Sequence, residues 1–356
     1  MRSIMKCSTA LFFLASFAMV SFHATSGQAQ LRNLPRISPA ASVTQRIGIT
    51  DITIDYHRPG VKDRVIWGKL VPYNGRIPWR AGANDNTTIT FTHDVTIENQ
   101  QVPAGTYGVH MNPTEGEWTI SFSKNHTSWG SFFYKPEEDA VRINVTPQKV
   151  EHTEWLNYGF EDLTDNSAVA YLRWEELKVP FKIEVDLHEI VLGSIRNELR
   201  TLPAFSWRGW RDAARYCLRN DIINEEAMGW IDESIKREKS FNNLQVKSQL
   251  LAKADKPRES EDTMNQAVEM ANQAQLNRYS RQLLGEDKTD KAIAMFKLNV
   301  KRHPKEWRVY DSLAEAYEKK GDRKAAMKNY KKALSKAPDD QKERIQNALA
   351  KIEGTN

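Results

Sequence analysis

Between residues 41 and 187, apolar side chains return at every second position in short runs, the spacing of strands with one face in a core and the other in water. Ile47 and Ile49 open the series, followed by Ile52, Ile54 and Tyr56, by Trp118, Ile120 and Phe122, by Val141, Ile143 and Val145, and by Val179, Phe181, Ile183 and Val185. Turn-forming sequences separate the runs: Pro103-Ala104-Gly105, Asn112-Pro113, Thr146-Pro147 and Asp165-Asn166-Ser167. About ten strands with no helical period between them predict an antiparallel β-sandwich over residues 30–190, with a barrel as the alternative closure. The pattern lacks the crossover helices of a doubly wound nucleotide site, and no cofactor is expected.

Past residue 192 the period lengthens to near 3.6, and Ala, Leu, Lys, Glu and Gln dominate. Residues 191–206, which include Gly193 and Pro203, read as a linker. From Trp207 onward, helices of about 12 to 16 residues are separated by Asn220-Asp221, Asp255-Lys256-Pro257, Gly285-Glu286-Asp287 and Lys320-Gly321-Asp322. Ala292, Phe296 and Pro304 return 34 residues later as Ala326, Tyr330 and Pro338. That interval resembles the tetratricopeptide repeat. Counted from Trp307, the residues Tyr310, Leu313, Ala314, Tyr317, Ala326, Tyr330, Ala333 and Pro338 fill the repeat's signature positions. The copy over 273–306 keeps Leu276, Ala292, Phe296 and Pro304. Helix pairs at 207–238 and 241–275 are looser, carrying Trp210, Ala213, Ala214 and Ala227, then Leu244, Leu251 and Ala267. Residues 341–352 predict a polar capping helix. The fold class is therefore α+β by segregated domains: an N-terminal antiparallel β-sandwich, then an all-α repeat domain over 207–356 in which each hairpin buries its apolar face only against its neighbours.

Of the 356 residues, 40% are apolar and 27% charged, which excludes a disordered chain and a multi-span membrane protein. Residues 1–29 carry Arg2 and Lys6 ahead of an apolar run from Thr9 to Phe22, with Gly27 and Ala29 at the positions a signal peptidase reads. They predict a signal peptide cleaved before Gln30, with an uncleaved anchor as the alternative, hence an exported protein, periplasmic or secreted, with no transmembrane segment in the mature chain. Cys7 precedes the apolar run, which argues against a lipid-modified N-terminal cysteine. The mature chain keeps Cys217 alone, so it forms no internal disulfide, and the phase of Cys217 with Ala213 and Ala214 predicts a buried, inert thiol. Charge divides with the fold: residues 30–190 hold 16 Lys and Arg against 21 Asp and Glu, and residues 191–356 hold 33 against 25. The basic half reads either as solvated helix surface or as a face for acidic partners. Nucleic acid is not an expected partner outside the cytoplasm.

One N-terminal stretch concentrates cations and aromatics, with nine Lys and Arg against three Asp over residues 30–80, whereas residues 81–190 hold seven against eighteen. In the structural reading its arginines pair with acidic strands and its tryptophans close the core edge. In the functional reading Arg58, Lys62, Arg64 and Arg80, with Trp67, Trp79 and Asn84, line a cleft for an anionic small molecule or a carbohydrate, because guanidinium forks match carboxylates and aromatic faces match sugar rings. His57, His93, His110, His126 and His152 have no metal-motif spacing, and no metal site is expected. No nucleophile elbow, phosphate loop or Cys-X-X-Cys is present.

Tyr56-X-Arg58-Pro59, Trp67-Gly68-X-Leu70-Val71-Pro72-Tyr73, Trp79-Arg80-X-Gly82-Ala83-Asn84, Pro103-Ala104-Gly105-Thr106-Tyr107, Trp129-Gly130 and Phe160-Glu161-Asp162 together resemble the bacterial exported family of unknown function DUF2911 over residues 36–186. The C-terminal portion resembles members that carry tetratricopeptide repeats. The resemblance implies an envelope or secreted protein and brings no catalytic residues. His110 stands where such proteins often have an apolar side chain.

Two function classes follow, and the sequence leans toward the non-enzymatic one. In the first, a binding or assembly protein takes a peptide or protein partner on its repeats, with Asn277, Arg281, Arg308, Asp311, Glu315 and Lys319 at the inward positions of the first helices. In the second, a hydrolase or lyase acting on envelope carbohydrate or peptide, or a carbohydrate-binding protein, has its site on the basic and aromatic stretch. A glycosidase there needs two carboxylates facing each other across the cleft.

Overall fold

The structure is a computed structural model and describes residues 34–354. The expected signal peptide, residues 1–29, lies outside the described residues. The chain divides between Val185 and Asp186 into two compact units.

The first unit is built from strands β1 (Ala40–Ile47), β2 (Thr50–His57), β3 (Thr88–Phe91), β4 (Val95–Ile97), β5 (Gln100–Val102), β6 (Gly105–Asn112), β7 (Trp118–Ser123), β8 (Asp139–Val145), β9 (Gln148–Glu161) and β10 (Ser167–Glu184). All pairings are antiparallel, in one sheet of order β1-β2-β3-β6-β7-β8 and another of order β5-β4-β10-β9. Neither sheet closes on itself, so the unit is an open sandwich. Tyr56 of β2 meets Tyr158 of β9 with ring centroids 4.9 Å apart, and Phe122 of β7 meets Phe181 of β10 at 5.8 Å, so the core lies between the sheets. Ile52, Ile54, Ile120, Ile143, Phe181 and Ile183 are almost wholly buried, as alternation requires of inward positions. Ile49 is a correction. It sits in the turn between β1 and β2 beside left-handed Gly48 and is exposed, because the tight reversal shifts the alternating face there.

The basic stretch has become the long connection between β2 and β3. It contains no regular strand but is pinned by bridges Gly60 to Trp155 and Trp79 to Met111. Lys62, Asp63, Asn74, Ala81 and Asn84 all have positive φ. Ala81 is fully buried in that strained conformation, and its carbonyl accepts hydrogen bonds from Thr87 Oγ1 (3.1 Å) and Tyr158 Oη (2.9 Å).

The second unit holds ten α-helices among the described residues: α1 (Leu187–Glu198), α2 (Trp207–Arg219), α3 (Glu225–Arg237), α4 (Phe241–Lys253), α5 (Pro257–Met270), α6 (Gln273–Gly285), α7 (Thr289–Arg302), α8 (Trp307–Lys320), α9 (Arg323–Leu334) and α10 (Asp339–Glu353). Four hairpins, α2–α3 to α8–α9, stack in series with α10 at the end. Tyr310, Ala314, Ala326, Tyr330 and Ala333 of the last hairpin share one buried cluster with Ile345 and Ile352 of α10. The small residues at the repeat positions let paired helices approach. The expected linker 191–206 is corrected: it carries most of α1, from residue 191 to its end at Glu198, and a 3-10 turn at Leu202–Phe205. Leu192, Ile195 and Leu199 form a helical stripe packed onto the core of the first hairpin, and that burial outweighs the helix-breaking tendency of Gly193.

Candidate functional site

The connection after β2, with Ile37 and Ser38 ahead of β1 and Trp174 within β10, lines a groove of about 570 Å³ on the sandwich. Of the seven residues expected to meet in a cleft, Lys62, Arg64, Trp79, Arg80 and Asn84 line it. Its floor is Trp79 stacked on Trp174, centroids 5.8 Å apart and planes 20° apart. Trp67 is instead part of the packing behind that floor, 5.0 Å from Trp118 and 5.8 Å from both Trp79 and Trp174. Trp67 is half-buried and does not line the groove with the other expected residues. Arg58 is likewise structural: its Nε donates to the carbonyl of Leu156 at 2.8 Å, tying the connection to β9. Asn84 lines the groove, but its side-chain amide is taken by the Ser38 carbonyl (3.0 Å).

Arg80 is the centre of the groove's electrostatics. Its Nη1 donates to the Asn84 carbonyl at 2.6 Å, and its guanidinium lies 4.9 Å from the Trp129 ring centroid and 5.6 Å from that of Phe132. Gly130 is needed there twice over. Its φ is +60°, and a Cβ would stand 2.7 Å from Arg80 Cζ. Burial pushes the Arg80 guanidinium below its usual range, with Asp85 opposing the shift. No carboxylate among the described residues reaches ion-pairing distance of Arg80, Arg64 or Lys62. The nearby Asp85 is paired with Arg36 at 2.8 Å instead. The lining residues of the groove include no Asp or Glu, so the two facing carboxylates of a glycosidase are not assembled in it. Arg80 and Trp79 also face a smaller cavity of about 180 Å³ with Asn112, Ser131 and Phe132.

Sequence reasoning missed a buried polar cluster beneath the loop between β7 and β8. His110, 1% exposed, shares a 2.8 Å hydrogen bond through Nδ1 with Ser131 Oγ, and its ring lies 4.9 Å from that of Tyr134. Tyr134 Oη donates to Asp139 Oδ2 at 2.6 Å, and Arg142 Nε donates to the same oxygen at 2.6 Å. Burial pushes His110 down to about 4, against a smaller opposing effect of Asp139, so the imidazole is neutral at pH 7. Burial also raises Tyr134, and its bond to Asp139 adds to that. The five sandwich histidines do not converge: His57 faces Asp85 at 3.7 Å and His93 faces Thr50 at 3.2 Å. Among the described residues no three His, Cys, Asp or Glu side chains are placed to hold a metal ion.

On the helical unit, most of the expected groove charges are engaged between hairpins. Arg281 of α6 pairs with Glu315 of α8 at 2.6 Å, Asp311 of α8 with Arg344 of α10 at 2.6 Å, and Lys319 of α8 with Asp287 at 2.9 Å. These partners lie 34, 33 and 32 residues apart. The repeat period itself brings them together, so Arg281, Asp311, Glu315 and Lys319 are paired between neighbouring helices. Arg308 lies over the Trp307 ring (4.9 Å), and Asn277 Oδ1 is buried without a partner. A separate cleft of about 830 Å³ opens between the hairpins α4–α5 and α6–α7, lined by Ser248, Met264, Asn265, Tyr279, Leu283 and Met295 among others. Cys217 is buried, and burial pushes its thiol up to about 11.

Fold and sites together define a two-unit protein: an open β-sandwich carrying a cationic, aromatic-floored groove, followed by a stack of helical hairpins. Residues 38–183 match the family model described as "Protein of unknown function (DUF2911)". No curated protein matches the chain. Among solved structures the chain is similar to MamA (41-end) from Desulfovibrio magneticus RS-1, at 19% identity over 41% of this chain and 83% of that one, TM-score 0.28. It is similar to YrrB, "a TPR protein with an unusual peptide-binding site", at 17% identity over 46% and 83%, TM-score 0.29. A third is TTC0263, a thermophilic TPR protein in Thermus thermophilus, at 17% identity over 47% and 91%, TM-score 0.28.

Proposed function

We propose that this is an exported, non-enzymatic binding or assembly protein whose helical unit holds a peptide or protein partner. The observation that carries the reading is the cleft between the second and third hairpins. It presents Met264, Met295, Leu283 and Tyr279 next to the side chains of Asn265 and Gln282, with charged residues such as Lys253, Glu261 and Lys291 around them, an apolar patch with polar groups for an extended chain. The two neighbouring hairpins pair Lys291 with Glu261 at 3.9 Å across this cleft and leave about 830 Å³ between them. Export rests on the composition of residues 1–29. No helix of the described residues is long and apolar enough to cross a membrane.

The test is selection of a displayed random-peptide library on the full chain, followed by affinity measurement with Met295→Glu and Met264→Glu. The expected result is an enriched sequence class whose affinity falls at least about tenfold in both variants, since each places an unpaired charge on the apolar floor. Enriched peptides that bind both variants as they bind the parent protein, or a selection that enriches nothing, refute the reading.

A further inference from the structure

We propose that the sandwich has a separate binding site for a carboxylated sugar, with the carboxylate held by Arg80 and flanked by Lys62 and Arg64, and the ring lying against Trp79. Four observations converge on that class. First, the groove is charged with one sign only: three cations line it and no carboxylate does. Of the nearby acids, Asp85 pairs with Arg36, and Glu154 stands at the groove's edge, accepting from the Lys62 backbone amide at 3.0 Å with His152 Nε2 3.6 Å from its other oxygen. A concavity lined by one sign of charge concentrates ligands of the other.

Second, Arg80 is held in place without being neutralised. One of its donors goes to a backbone carbonyl, and the stacked pair of Trp129 and Phe132, planes 7° apart, covers its guanidinium. A half-buried guanidinium with no anion is costly, and a ligand carboxylate offsets that cost through a forked pair of hydrogen bonds that lysine cannot reproduce. Third, the floor is aromatic and the groove volume of about 570 Å³ is in the range of small-molecule sites, enough for one or two sugar rings. Fourth, the described part of this unit contains no α-helix, so the helix N-terminus that commonly cradles phosphate is not available to the groove. The backbone around the site is also unusually constrained, with Lys62, Ala81 and Asn84 all left-handed and Gly130 fitted against Arg80. Such strain marks functional loops when the surroundings hold it in place.

The site is independent of the helical cleft, and its test leaves that reading untouched. Tri-galacturonate is titrated into the full chain, with affinity read by calorimetry and by quenching of tryptophan fluorescence; maltotriose, tri-glutamate and inorganic phosphate serve as comparison probes. The expected result is saturable binding of tri-galacturonate, at least about tenfold weaker binding of maltotriose, and about a tenfold loss in Arg80→Lys. Lys62→Gln changes one exposed side chain, leaves in place the bond of Arg64 Nε to the Val61 carbonyl (3.0 Å) that pins the loop, and is expected to weaken binding severalfold. It decides the matter if the Arg80 variant does not fold. Arg46→Gln, a substitution in the Arg46–Asp51 surface pair away from the groove, is expected to bind as the parent does. Equal affinity for maltotriose, tighter binding of tri-glutamate or phosphate, indifference to the groove substitutions, or no saturation at millimolar tri-galacturonate each overturns the proposal.

Discussion

Lowering the pH from 7 to 5 singles out His110. Its folded value of about 4 lies below the ordinary 6.5 because burial disfavours the imidazolium. Between those values the unfolded chain binds more protons than the folded one, so this residue's contribution is complete above pH 6.5 and is lost as pH falls toward 4. The full shift corresponds to about 3 kcal/mol, of which about 2 kcal/mol disappears between pH 7 and pH 5. Asp139, the acid acting on His110, already has Tyr134 and Arg142 on one oxygen and offsets little of the burial effect. The comparison variant is His110→Asn, whose amide can stand in for Nδ1 toward Ser131 but does not titrate. It loses the ring's packing on Tyr134 and so starts less stable at pH 7. Urea unfolding of both full-length proteins, with the sandwich and helical transitions fitted separately, gives stability at each pH. Groups common to both, including His57, cancel in the difference of slopes. The wild-type sandwich is expected to lose about 2 kcal/mol more than the variant from pH 7 to 5. Parallel slopes, or an NMR titration of the His110 ring with a midpoint near its ordinary value, refute the reasoning.

Three further outcomes follow from buried groups. Phe296, 1% exposed between α7 and its neighbours, is expected to cost about 3–5 kcal/mol on truncation to Ala, read as an earlier urea midpoint of the helical transition with the sandwich transition unmoved. Gly130→Ala places a Cβ on a left-handed backbone at φ +60°, so it is expected to destabilise the sandwich by about 1 kcal/mol; unchanged unfolding contradicts that backbone strain. With Cys7 replaced by Ser, the native protein is expected to resist thiol reagents at pH 8 because Cys217 is buried with its thiol pushed up to about 11. Labelling as fast as in urea counters that.

The fold was legible because its two periods differ. Alternation placed Ile52, Ile54, Ile143 and Phe181 inward, and the 34-residue recurrence placed Ala326 and Tyr330 in a shared core. What escaped depended on contacts across sequence. His110 joins Ser131, Tyr134 and Asp139 because β6, β7 and β8 lie side by side, with His110 opposite Ser121 and Ser121 opposite Arg142. One signal was available. β6 and β7 carry Gly108, His110, Ser121 and Ser123 on the face away from the core, and small or hydrogen-bonding residues there suit a strand covered by a loop. The cationic stretch was readable as a site, but separating Trp67 and Arg58 from Arg80 required knowing which of them faced inward. The charges on α6 and α8 were placed on the right helices. Their engagement follows from opposite charges about one repeat apart, as in Arg281 and Glu315, 34 residues from each other.

The placement of α1 has a practical corollary for anyone cutting the chain. A row of stacked hairpins has two raw ends, each an apolar plate that invites another molecule to add on and grow a filament. Here Leu192 and Leu199 cover the first plate as Ile345 and Ile352 cover the last, so the row stops at a fixed length. A fragment begun at Asp186 keeps both seals; one begun at Trp207 loses the first and is expected to self-associate.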